Sequence, residues 1–95
     1  MTDTGNPFRA AAQIAAELAD HLAGRGVNSA KAVIRADEAT AAVTVTCLAP
    51  LRREHAAAAL RAVHASGVTD LGHALQGVAM RWHAPVTVTV SYATG

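Results

Sequence analysis

The 95-residue chain has one cysteine, three aromatic residues and a single lysine among its eight basic residues. The lone Cys47 excludes an intramolecular disulfide and any cysteine-built metal cluster. Phe8, Trp82 and Tyr92 are the only aromatics, and much of the 52% hydrophobic content is alanine, which removes little apolar surface from water. The core must therefore rest on Ile14, Leu18, Leu22, Ile34, Leu60, Leu71, Leu75, Trp82 and the valines. A core this thin commonly gains stability by association, so a homodimer is expected. No stretch approaches the ~18 uncharged apolar residues of a membrane span. The opening MTDTGNPFRAA has no basic segment followed by an apolar one, which predicts no secretion signal and a cytoplasmic protein. Eight basic and seven acidic residues leave a net charge of +1. That balance neither requires nucleic acid nor excludes it, and no basic run is long enough to be a binding tail.

A chain of this length forms one domain. Such a domain hides roughly 60–70% of the surface its unfolded chain exposes. That suffices for one core but not for a core plus a deep enclosed active site. Residues 1–6 are small and polar and are expected to be disordered, leaving 7–95 as a single α+β domain. Asn6-Pro7 is a good helix start, because Asn caps and Pro is tolerated in the first helical position. Ile14, Leu18 and Leu22 then recur every four residues, and Gly24 and Gly26 end the helix. Lys31–Ala36 and Ala42–Leu48 alternate as strands, joined by the polar Asp37-Glu38-Ala39-Thr40. The second of them sets Val43, Val45 and Cys47 against Thr44 and Thr46.

A second helix is expected from Pro50 to about Ala65, broken at Ser66-Gly67. A third is expected from Thr69 or Asp70 to Pro85, with Leu71, Leu75, Val78 and Trp82 as its stripe. In the last strand Val86, Val88, Val90 and Tyr92 oppose Thr87, Thr89 and Ser91, a register that a one-residue slip would ruin. The predicted order is αββααβ: a three-stranded sheet with three helices covering one face and threonines on the other. The crossover from the second strand to the last favours a parallel pair.

This order resembles the type II KH fold, in which a G-x-x-G loop between consecutive helices approaches a nucleic-acid backbone. The corresponding stretch is Gly67-Val68-Thr69-Asp70, with Asp70 where the second glycine would stand. The Ala65-Ser66-Gly67 kink, Ala79-Met80-Arg81 and the switch through Pro85 into a strand are similar to the ribosome-binding factor A family. That resemblance implies RNA or ribosome contact at Ser66 and Gly67, beside Arg52, Arg53 and Arg61. The helix after Gly67 is longer and less basic than in that family, and its usual C-terminal extension is missing. The chain also resembles the alkaline-shock protein family in its size and in its closing valine-rich strand, Val86 to Tyr92. That family normally has one helix before this strand.

No catalytic signature stands out. His21, His55, His64, His73 and His83 lack the i, i+4 spacing of a helical zinc pair and are expected at the surface. Glu17 and His21 are four apart, which fits an ordinary surface pair unless a nucleophile lies nearby. Cys47, on an apolar strand face, is expected to be buried and structural. Gly72 and Gly77 inside the third helix would each cost ~1 kcal/mol, which asks for a close-packing reason. The chain is therefore expected to be a non-enzymatic protein–protein interaction module, binding a protein partner or its own copy through its edge strands or through the sheet face of Thr44, Thr46, Thr87, Thr89 and Ser91. The alternatives are an RNA- or ribosome-binding factor using Arg52, Arg53, Arg61, Ser66 and Gly67, and a small-ligand domain with a pocket near Trp82. No metal, cofactor or membrane is called for.

Overall fold

The computed structural model describes residues 7–26, 31–37, 42–48, 52–81 and 84–93. Residues 1–6, 27–30, 38–41, 49–51, 82–83 and 94–95 lie outside them, and with them the expected disordered N-terminus, the polar connection through Glu38-Ala39-Thr40, the helix start at Pro50, the surface position of His83 and the pocket near Trp82.

Helix α1 spans Pro7–Ala23. Its inward face is Ala10, Ala11, Ile14, Leu18 and Leu22, all fully buried, the one-sided stripe that a 3.6-residue period produces. It ends where Gly24, Arg25 and Gly26 donate back to Asp20, Leu22 and Ala23. Strands β1, Lys31–Asp37, and β2, Ala42–Leu48, form an antiparallel hairpin with Lys31 opposite Leu48.

Helix α2 is shorter than expected, Arg53–Ala62, and buries Ala56, Ala59 and Leu60. Its end explains why. Val63 is the C-cap, His64 takes a left-handed backbone at φ 60°, His64 N–H donates to Arg61 O, and Ala65 N–H donates to Leu60 O. This pair of bonds is a Schellman stop, and it releases the chain at Ser66 into an extended path.

The chain from Ser66 to Arg81 is not helical. It forms β3, Ser66–Asp70, and β4, Ala74–Arg81, followed by β5, Ala84–Ser91. The expected three-stranded sheet beneath three helices is thus replaced, among the described residues, by two helices and a five-stranded mixed sheet in the order β1-β2-β5-β4-β3. The physical reason lies in the two glycines. Gly72 sits at φ 89° in the β3–β4 turn, where Leu71 N–H donates to Ala74 O. At Gly77, a Cβ would stand 3.1 Å from both Ala65 Cβ and Ser66 O. Both residues serve a hairpin that passes tightly under the α2–β3 junction, not a helix.

β2 and β5 pair in parallel, with Thr44 opposite Thr87 and Thr46 opposite Thr89. β5 pairs antiparallel with β4, and β4 with β3. Both helices lie on one side. There, Val43, Val45, Cys47, Leu75, Ala79, Val86, Val88 and Val90 meet the inward residues of α1 and α2 in one buried cluster. Of the residues expected in the core, Ile34, Val68, Leu71 and Val78 are exposed.

Candidate functional site

Strand alternation decides what the other side of the sheet carries, because every second residue of a core-facing strand points away from the core. On β2 and β5 these are Thr44, Thr46, Thr87, Thr89 and Ser91, all half-buried. The register turns them into rows. Val78, Thr87, Thr44 and Arg35 form one row across the sheet. Gln76, Thr89, Thr46 and Val33 form the next. Leu48 on β2, and Val78 and Met80 on β4, stand exposed beside the threonines, at 49%, 40% and 53%. Among the described residues no element covers this face. Gln76 Nε2 donates to Thr89 Oγ1 at 3.0 Å, and Ser91 Oγ donates to the Cys47 carbonyl at 3.2 Å. The surface is therefore stiff and mixed: β-branched side chains with few rotamers, hydroxyls that donate or accept, and exposed apolar groups between them.

The arginines expected to make a basic stripe lie on the opposite side of the sheet, on α2. They do not converge. Arg52 and Arg61 are nine residues apart along the helix, roughly 14 Å at 1.5 Å per residue. Arg52 stands 3.9 Å from Glu54 in an exposed pair. Arg53 is engaged, its Nε donating to Asp70 Oδ2 at 2.7 Å. Ser66 and Gly67 belong to β3, where Ser66 Oγ donates weakly to Val78 O at 3.4 Å and the register shifts before Thr69.

Asp70 is the most heavily bonded side chain at this end of the sheet. Besides Arg53, it accepts from the Tyr92 hydroxyl at 2.7 Å and from Gly72 N–H at 2.9 Å, the latter tightening the β3–β4 turn. The Tyr92 hydrogen bond, then the Gly72 N–H, then Arg53 hold its carboxyl down to about 2. The Tyr92 phenol is pushed up, first by its bond to Asp70 and then by desolvation. A phenol held protonated beside a carboxylate held ionised has no proton to exchange near neutral pH. The cluster ties β3, α2 and the end of β5 together.

A second tie went unread in the sequence. Arg81, at the end of β4, reaches under both helices, with 15% of its side chain exposed. Its Nη2 donates to Glu17 Oε1 at 2.7 Å and to the Val63 carbonyl at 3.0 Å, and its Nε donates to Glu17 Oε2 at 3.3 Å. Glu17 therefore serves Arg81 and not His21. His21 Nε2 is buried with no hydrogen-bond partner among the described residues. Cys47 is buried and unpaired, and desolvation pushes its thiol up, away from the reactive thiolate.

Among the described residues no three His, Cys, Asp or Glu side chains group as a metal set, and no helix is long and apolar enough to cross a membrane. The open face contains residues that sequence reasoning overlooked, chiefly Val78, Met80 and Gln76. The signal that could have found them is the turn chemistry of Asp70 and Gly72, which turns the chain from β3 into β4. Compared with protein-family models, with curated proteins and with solved structures, the chain matches none.

Proposed function

We propose that this chain is a small non-enzymatic protein–protein interaction module, working as a homodimer, that docks a protein partner on the open face of its sheet. The observation that carries the reading is the composition of that face. Thr44, Thr46, Thr87 and Thr89 lie in adjacent rows, with Leu48, Val78 and Met80 exposed around them. Small β-branched residues lose little conformational entropy when covered. Exposed aliphatic groups gain ~25 cal/mol for each Å² that a partner removes from water. The paired Asp70, Arg53 and Tyr92 and the buried Cys47 supply no competing chemistry.

The test begins with purification from the native extract, recording the ratio of absorbance at 260 and 280 nm and the mass by light scattering. A protein spectrum and twice the 9.7 kDa monomer mass support the reading. A nucleic-acid ratio that falls at raised salt replaces it with phosphate contact through Arg52 and Arg61. Thr46→Glu and Thr89→Glu then locate the docking face. A stoichiometric partner kept by the natural protein should be lost by both variants. A partner that both variants keep moves the docking site elsewhere.

A further inference from the structure

The two edges of the sheet differ. β3 is five residues long, shifts register between Ser66 and Thr69, and is tied down by Asp70. β1 is seven residues long and pairs with β2 at every position from Lys31 to Asp37 without a bulge. Its outer backbone groups form a regular ladder with no strand beyond it among the described residues. Such an edge is a template for another strand unless its side chains forbid it.

The side chains of β1 select one partner. A two-fold axis through the sheet keeps each residue on its own face, so symmetric antiparallel pairing of β1 with a second β1 must be centred on a residue. Centring on Val33 sets Lys31 against the other copy's Arg35, twice. Centring on Arg35 sets two arginines against each other. Directly opposed like charges destabilise a strand pair. Centring on Ile34 uses all seven residues. It sets Ile34 against Ile34, Ala32 against Ala36, and Lys31 against Asp37 at both ends. Ile34 lies opposite Val45 on the helix side and is 39% exposed at this edge. Pairing with its own copy would cover that exposed surface. On the open face, the aliphatic stem of Arg35 would lie over the other copy's Val33.

We infer that two copies of this chain join antiparallel through β1, centred on Ile34 with position 31 of each copy opposite position 37 of the other, into a ten-stranded sheet with one continuous open face. The inference rests on the proposed dimeric module and names the surface through which it dimerises. Each threonine face would then continue into its copy's, doubling the docking surface.

The full-length chain tests this. In a Cys47→Ala background, Ile34→Cys should form a disulfide-linked dimer under mild oxidation, because opposed residues bring their Cα atoms to about 4.5–5.5 Å, inside the span of a disulfide. Ala32→Cys, whose copy would lie four residues away along the seam, should stay monomeric on the gel. Lys31→Asp or Asp37→Lys alone should raise the dimer dissociation constant about tenfold or more. The double variant Lys31→Asp/Asp37→Lys should return it to near the natural value. A dimer by light scattering that fails to cross-link at Ile34→Cys and ignores the charge reversals overturns the β1 seam while leaving the dimeric module standing. A monomer at every concentration overturns both.

Discussion

Arg81 ties α1, the end of α2 and β4 together through its bonds to Glu17 and the Val63 carbonyl. Arg81→Met keeps an unbranched stem but deletes the donations to both Glu17 oxygens at 2.7 and 3.3 Å, to Val63 O at 3.0 Å and to Met80 O at 2.8 Å. Breaking a fully buried ion pair from one side costs about 3–5 kcal/mol. Here Glu17 is 34% exposed and can turn its carboxylate to water, which removes part of that penalty. The Val63 carbonyl, at the cap of α2, loses a charged donor worth about 1.5 kcal/mol or more. The expected loss is about 2 kcal/mol, a fall in Tm of about 8–16 °C for a domain of this size. Glu17→Gln keeps the shape and one acceptor and should cost ~1 kcal/mol. The double variant should then show a coupling of about 1 kcal/mol. Urea unfolding followed by far-UV circular dichroism at one fixed protein concentration measures all four corners of the cycle. A loss below ~0.5 kcal/mol for Arg81→Met, or additive single effects, would refute the account of Arg81 as the tie between α1, α2 and β4.

Three further outcomes follow from named geometry. The carboxyl of Asp70 titrates near 2 in the folded chain and at 3.8 ordinarily. The stability it contributes is thus fully present above about pH 5 and is lost as the pH falls from roughly 4 to 2. Asp70→Asn should flatten that part of the profile of urea midpoint against pH, and parallel profiles for the two proteins would contradict it. His64 holds φ 60° at the end of α2, where glycine carries no Cβ penalty. His64→Gly should raise stability by ~0.5–1 kcal/mol, visible as a higher melting temperature. Gly77→Ala should lower stability by ~1 kcal/mol, because the new methyl would meet Ser66 O and Ala65 Cβ at 3.1 Å. Ser66 follows directly on the Schellman stop and has little room to yield, so an unchanged Tm would show that the junction gives more than this geometry allows.

The parts of the fold legible in the sequence are those with an unambiguous period. The stripe of Ile14, Leu18 and Leu22 specifies α1, and Val86, Val88 and Val90 specify β5 with its faces the right way round. The parallel partnership of β2 with β5 is the one expected from a helix–helix crossover, although the chain crosses instead through α2 and the β3–β4 hairpin. Residues 70–81 were illegible for a reason. Leu71, Leu75 and Val78 satisfy a helical spacing, while the inward partners of Leu75 on β4 are Gly77 and Ala79, too small to mark a strand by hydrophobicity. Turn chemistry was the better guide, since Asp70 and Gly72 are turn formers sitting two apart. The threonine rows were visible as a face, but the aliphatic residues beside them depended on β4 being a strand. The arginines of α2 looked like a patch in one dimension, and helix length and Asp70 disperse them in three.

The parallel ladder between β2 and β5 divides the chain into two pieces of very different entropy. β1 with β2, and β3 with β4 and β5, are hairpins whose partners lie close in sequence, so each finds its register locally. The seam that joins them opposes Thr44 to Thr87, a separation of 87 − 44 = 43 residues. Closing a loop of that length costs about 3 kcal/mol before any contact across it forms. Little repays that cost until Val45 and Val88 come together beneath α1. Folding is thus expected to be gated by one late, long-range event in the middle of the sheet. Pulse-labelled amide exchange would show it as protection of the β4–β5 amides ahead of those of Thr44 and Thr46. The most buried strands of the finished protein are then the last to meet.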